Sequence, residues 1–281
     1  MIQKPFKLFN KHKDPIRGDV SYPDMNRRYP VLILCHGFKG FKDWGFFPYV
    51  AEMLCKKGFI VVKFNFSGSG IGEDLQNFTD LERFATNTYS RELDDLDRVL
   101  EELEKGNVCG KQGYLDRVGI LGHSRGGGMA VLKAAFDNRI HVVVTWSAIS
   151  HVDRKSFLDI MPQWKRQGNT EIQNSRTGQW MRLDLDIVED IEKNGKSKLH
   201  ILKTASKLDT PYLLVHGDKD ESVPVGESRS IFEALRVSRS RLEIIPGASH
   251  TYNCVHPFTG PTPELKRALS ATQEWFKNFL K

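Results

Sequence analysis

Gly122-His123-Ser124-Arg125-Gly126 sets one serine among close glycines at the join of two apolar runs. A serine hydroxyl is a weak nucleophile until a base takes its proton. Histidine suits that role, because an imidazole of pKa about 6.5 takes and returns a proton near neutrality. A carboxylate must then hold the imidazole in one tautomer. Downstream of Ser124, "HGDKDESVP" (216–224) offers Asp218 and Asp220, and "IIPGASH" (244–250) offers His250. Serine, acid and histidine follow in that order, and the chemistry they could support is nucleophilic acyl transfer. Among nine histidines, His256 is the serious rival to His250, which follows its strand by the shorter loop. His36, His123 and His216 stand beside glycines at strand ends and read as structural.

The serine needs a strand before it and a helix after it. "DRVGILG" (116–122) reads as a strand and "GGGMAVLKAAF" (126–136) as a helix. In such a strand–turn–helix the serine backbone is strained and its neighbours must be small, which Gly122 and Gly126 satisfy. The helix start also aims the Arg125 backbone N–H at a developing oxyanion. A second donor is expected from the loop after an earlier strand. "LCHGFKGFKDWG" (34–45) fits, with the Phe38 N–H facing the same place. The plain alternatives are a glycine-rich helix start where Ser124 only caps, and an ordinary glycine turn at Gly37.

Around this core, short apolar runs alternate with helical patterns. "YPVLILCHG" (29–37), "FIVVKFNF" (59–66), "IHVVVTWSAI" (140–149), "TPYLLVHG" (210–217) and "RLEIIPG" (241–247) read as strands. Helices are expected over 46–58, 90–106, 226–237 and 263–280; Leu93, Leu96, Leu100 and Leu103 line one face of the second. Strands apolar on both faces and alternating with helices predict an α/β fold, with a mostly parallel sheet covered by helices on both faces. The first 28 residues offer one or two antiparallel edge strands.

Between the strand ending near Ile149 and that starting at Thr210 lie about 60 residues, far more than an ordinary connection. Helix-like stretches occupy 156–164 and 198–208, and a hairpin over 170–183 turns at Ser175 to Gly178. Residues 151–197 are therefore expected to form an inserted cap on a core of 1–150 and 198–281. The cap carries Phe157, Met161, Trp164, Trp180 and Met181. Some of these should face Ser124, and Trp164 and Trp180 are the candidates for substrate binding.

Composition narrows the function classes. Apolar residues make up 40% and charged residues 27% of the 281, as in a globular chain. No run approaches 18 apolar residues, which argues against a membrane partner, and the lysine-bearing N-terminus lacks the apolar core of a secretory signal. The net charge of +6 is spread out, with no basic run interleaved with aromatics, so no nucleic-acid partner is expected. Cys35, Cys55, Cys109 and Cys254 lie far apart and read as reduced thiols in a cytoplasmic protein. "FSGSGIGED" (66–74) has the glycines of a phosphate loop at the wrong spacing, and no metal-ligand cluster is present; neither cofactor nor metal is expected.

From about residue 29 onward the sequence resembles the α/β-hydrolase-fold serine hydrolases. The carriers are His36-Gly37-Phe38, Gly122-His123-Ser124-Arg125-Gly126-Gly127, "HGDKDESVP" and "GASH". It is most similar to the branch holding dienelactone-hydrolase-like proteins, serine aminopeptidase-like proteins and bacterial cinnamoyl (feruloyl) esterases. The last share the H-G-F start, the G-H-S-x-G-G turn and a hairpin-bearing insertion. Dienelactone hydrolases proper carry a cysteine where this chain has Ser124. In the family the acid is usually the Asp of D-x-x-V-P, which falls on Asp220. The main reading is a hydrolase of small-molecule carboxylic esters, and the cap aromatics, if they line the pocket, favour aromatic or medium acyl groups. A second implied reading is an aminopeptidase, which needs an acid for the substrate amine; Asp184, Asp186 and Glu189 are candidates. A third is an inactive fold used for binding. Neither the resemblance nor the residues fix an oligomeric state.

Overall fold

Every residue of Tyr29–Cys35 (β3), Ile60–Asn65 (β4) and Tyr212–Gly217 (β9) is buried. Strands of that kind need cover on both faces, and they form the middle of one sheet. The computed structural model describes residues 1–174 and 177–281. Ile2–Phe9 (β1) and Pro15–Tyr22 (β2) open the chain as an antiparallel pair, and β2 joins β4 antiparallel. Gly113–His123 (β5), Ile140–Trp146 (β6) and Ser240–Ile245 (β10) complete the sheet. Among the described residues it has eight strands, in the order β1-β2-β4-β3-β5-β6-β9-β10. From β4 to β10 all pairings are parallel. The expected α/β-hydrolase fold, with a mostly parallel sheet, is the observed one.

Helices cover the sheet. Phe47–Lys56 (α1) is followed by Leu81–Ala85 (α2), Tyr89–Glu104 (α3) and Arg125–Ala134 (α4). The Thr88 hydroxyl caps α3 by accepting from the Arg91 N–H at 3.1 Å. The short α2 has no counterpart in the sequence reading.

Residues 151–197 follow β6. They hold Lys155–Leu158 (α5), Met161–Gln167 (α6), Asn169–Gln173 (β7), Trp180–Asp184 (β8) and Asp186–Asn194 (α7). The single helical stretch expected over 156–164 is two helices. Pro162 sits in the first turn of α6 and lacks the N–H that a continuous helix needs. β7 and β8 pair antiparallel, Gln173 opposite Trp180, as the hairpin reading expects. Part of its turn, Ser175 and Arg176, lies outside the described residues. Trp164, Met181, Leu183, Ile187 and Val188 are buried and belong to one apolar cluster with the core of the sheet.

Ile201–Ala205 (α8), Gly226–Ala234 (α9) and Pro263–Leu280 (α10) finish the chain. α8 is shorter than the 198–208 stretch, because the His200 ring accepts from the Lys203 N–H at 3.2 Å and caps its start. The parallel strands share one direction, so the loops after β3, β5, β9 and β10 gather at one edge of the sheet. That edge is where ligands bind in open α/β sheets.

Candidate active site

Ser124 follows β5 directly and α4 starts at the next residue. Its φ of 58° and ψ of −122° are strained for a residue with a Cβ. The surroundings hold that strain in place. The Ser124 N–H donates to the Trp146 carbonyl at 2.9 Å, and its own carbonyl accepts from the Gly127 and Gly128 N–H groups. The glycines at the turn are spatial necessities. A Cβ on Gly122 would meet the Gly126 carbonyl oxygen at 2.3 Å, and one on Gly126 would meet that of His36 at 2.4 Å. The Ser124 hydroxyl makes no capping bond to α4, so the reading in which it serves only as a cap fails.

Asp220 and His250 meet. His250 Nδ1 lies 2.8 Å from Asp220 Oδ2. The other carboxylate oxygen, Oδ1, accepts from the Ser222 and Val223 N–H groups at 2.9 and 2.8 Å. Burial pushes the Asp220 carboxyl up, but hydrogen bonds from His216, His250 and the Val223 N–H outweigh it. They hold Asp220 well below the usual carboxylate range. Asp218 points elsewhere: its Oδ1 accepts from the Gly247 N–H at 2.7 Å and braces the turn after β10. His256 is also occupied elsewhere, its Nδ1 accepting from the Gly45 N–H at 3.0 Å.

The loop after β3 runs against the serine. A Cβ on Gly37 would lie 2.8 Å from the Ser124 Cβ and 3.3 Å from its Oγ. Four buried or half-buried charges anchor this loop. Lys63 of β4 reaches Asp19 of β2 at 2.9 Å and also bonds Asp43, while Lys42 bonds both aspartates. The Lys42 N–H donates to Asn65 Oδ1 at 2.7 Å.

Ser124, His250, Phe38 and Arg125 line one cavity of about 420 Å³. Ile149, Phe157, Ile160, Ile172 and Val223 add apolar wall. Lys39, Arg154 and Asn174 add polar groups, and no carboxylate is on the wall among the described residues. Asp184 is paired with Arg182 at 2.9 Å and Asp186 faces Arg91 at 3.8 Å; neither they nor Glu189 line the cavity.

The two tryptophans are a correction. Trp164 is buried, its indole N–H donating to the Leu183 carbonyl at 3.1 Å, and it packs edge-on behind Phe157. Trp180 points into solvent, 59% exposed, because its β8 neighbour Met181 takes the inward position. Neither lines the cavity; Phe157, Ile160 and Ile172 do.

From the sequence, only the backbone N–H of Arg125 carries a role. Its guanidinium is buried between the rings of Phe38 and Tyr89, at 4.1 and 4.3 Å, and pairs with Glu92 at 3.1 Å. It thus fastens the Phe38 loop to α3 and α4. The partners sit on two other elements, the loop after β3 and α3, and no sequence spacing links either to Arg125. Among the described residues no three His, Cys, Asp or Glu side chains group as a metal site requires. No helix among them is long and apolar enough to cross a membrane.

Fold and site together define the class: this is an α/β-hydrolase-fold serine hydrolase. Residues 44–281 match the prolyl oligopeptidase family, and the chain belongs to it. It is 27% identical over 259 residues to the uncharacterized peptidase YuxL of Bacillus subtilis (strain 168). That alignment takes in 90% of this chain but 35% of the relative, so the chain spans about a third of that protein's length. Among solved structures it resembles the α/β hydrolase GrgF from Penicillium sp. sh18, with a TM-score of 0.74 at 15% identity over 100% and 99% of the two chains. It also resembles Est1E from Butyrivibrio proteoclasticus with ferulic acid bound, with a TM-score of 0.70 at 20% identity over 94% and 95%. At such identities the likeness shows the fold.

Proposed function

We propose that the protein cleaves carboxylic esters through an acyl-enzyme on Ser124. His250, oriented by Asp220, takes the hydroxyl proton on Nε2, since Nδ1 is committed to the carboxylate. The Ser124 oxygen bonds to the acyl carbon, and the Phe38 and Arg125 N–H groups stabilise the oxyanion. The proton passes from His250 to the leaving alcohol. A water, deprotonated by the same nitrogen, then releases the acid and restores Ser124.

The cavity wall carries this reading. It joins Ser124 and His250 to an apolar surface of Phe38, Phe157, Ile160 and Ile172, with no carboxylate among its described residues. That suits an aromatic or medium acyl group and gives a free substrate amine no counter-charge. The ferulic acid bound to Est1E, on the same fold, supports an aromatic acyl group. Membership of the prolyl oligopeptidase family favours a second reading, hydrolysis of small amides. We place residues 151–197 as a cap over the site, because Arg154, Phe157, Ile160 and Ile172 all come from it.

Two measurements test the proposal. A fluorophosphonate should label Ser124 alone. Ser124→Ala should lose p-nitrophenyl ester turnover while keeping the fold; activity above about a hundredth of wild type would refute the nucleophile assignment. A matched ester and amide panel decides between the two substrate readings.

A further inference from the structure

We infer that His216 is a positioning residue for the acid of the site: its Nε2–H shares with His250 the carboxylate oxygen Oδ2 of Asp220, and Ser228 fixes the ring in that tautomer. The inference rests on the reading of Ser124, Asp220 and His250 given above.

His216 lies at the end of β9, four residues before Asp220, and its side chain is fully buried. Its Nε2 is 2.8 Å from the Val223 carbonyl and 3.2 Å from Asp220 Oδ2. Both oxygens can only accept, so Nε2 carries a proton. Its Nδ1 is 2.7 Å from the hydroxyl of Ser228 on α9, also fully buried. With Nε2 donating, Nδ1 is left to accept the Ser228 O–H, and every polar atom of the pair has a partner.

The arrangement determines how Asp220 is held. Two backbone N–H groups take Oδ1, and two imidazoles take Oδ2. A carboxylate with four donors cannot rotate away from His250, and part of its charge is spent on His216. The other titratable and charged groups nearby are His123, with its ring 4.7 Å from that of His250, Tyr252, and Lys39 and Arg154 on the cavity wall. None of these makes a hydrogen bond to Asp220 among those described.

The tautomer is read directly by nitrogen NMR of the full chain with labelled histidine. A protonated Nε2 and an accepting Nδ1 are expected at His216; the opposite tautomer overturns the inference. His216→Leu removes the donor at similar bulk. It should lower kcat about ten- to a hundredfold, the range for an outer partner of a positioned group, with little change in KM. The acid limb of kcat/KM should move to higher pH, because Asp220 then offers its undivided charge to the His250 imidazolium. His216→Gln, whose amide nitrogen can reach Asp220, should restore most of both. A folded His216→Leu enzyme with wild-type kcat and an unmoved acid limb overturns the inference. If that variant does not fold, His216→Phe replaces it, keeping a ring in the buried site and removing both nitrogens. A shift of the limb in the same direction supports the role, and an unmoved limb overturns it. Failure of the underlying reading shows separately, as turnover in Ser124→Ala or no phosphonate on Ser124.

Discussion

His123 Nε2 lies 2.8 Å from the backbone carbonyl of His250. A carbonyl only accepts, so this ring nitrogen donates, and the residue before the serine fixes the main chain of the histidine. The two rings lie 4.7 Å apart, and Phe46 and Phe47 pack against His123 from below. The loop after β10 is therefore tied to the turn after β5 by this half-buried bond. His123→Phe should keep the ring packing and lose the bond. A fall in kcat of about tenfold or more, with KM nearly unchanged, is expected from loosened placement of His250. Wild-type kcat would show that the loop needs no such tie.

The two aspartates after β9 separate by role. Asp220 bonds the imidazole, and Asp218 bonds a backbone N–H at the next turn. Asp220→Asn should cost about four orders of magnitude in kcat, since the wrong histidine tautomer then prevails. Asp218→Asn should change kcat little and lower the melting temperature slightly. Equal losses in the two variants would remove Asp220 from the acid's role.

Aromatic preference should follow the cavity wall. Phe157→Ala is expected to raise KM for an aromatic-acyl ester more than for an acetyl ester. Trp180→Ala should leave both unchanged, because its ring points into solvent. Trp164→Ala should act through stability, by about 3–5 kcal/mol, as it empties a buried site. If Trp180→Ala shifted KM selectively for the aromatic ester, the cavity beside Ser124 would not be the acyl site.

What the sequence could reveal follows from the range of each interaction. The strands of the sheet are apolar on both faces, so burial is written into each run and the alternation with helices gives the order. The turn at Ser124 is local, and its glycines are needed within a few residues of one another. The cap hairpin was legible as a hairpin, but a strand alternates its faces, and period alone does not say which face is inward. Met181 took the inner face and Trp180 the outer. The Arg125 sandwich was illegible for another reason: its partners come from separate elements, and only the fold brings them together. His216 is four residues from Asp220, but a histidine beside a glycine at a strand end carries no local signal of which atom its ring will meet.

The buried pair of Arg125 and Glu92 gives a stability prediction. Both side chains are about 5% exposed or less, and their bond is 3.1 Å long. Arg125→Met would leave Glu92 buried without its counter-ion, forced either to hold an unpaired charge or to take up a proton, at a cost of about 3–5 kcal/mol. Adding Glu92→Gln should recover part of that loss, because it removes the stranded carboxyl group. Activity should stay low in both variants, since Phe38 has lost the guanidinium that packs on its ring. A single variant as stable as wild type would mean that the pair contributes nothing net to the fold.

Asp95 of α3 gives the pH prediction. It is fully buried, accepting from Asn10 Nδ2 at 2.8 Å and the Ser67 N–H at 2.7 Å. Burial raises its carboxyl to about 7, and those donors offset only part of the rise. In the unfolded chain the same group titrates near about 4. The folded state therefore holds this proton more tightly than the unfolded state. Its contribution to stability is complete below about pH 4, is lost as pH rises toward 7, and levels off above that. Asp95→Asn cannot titrate, so the variant should lack this slope. Its amide would face the Asn10 amide donor and cost stability at every pH, but that cost is a constant offset. Urea unfolding from pH 4 to 8 should show wild type losing ground steadily to Asp95→Asn up to about pH 7. Parallel curves for the two proteins would mean that Asp95 titrates normally in the fold, its donors matching the penalty of burial.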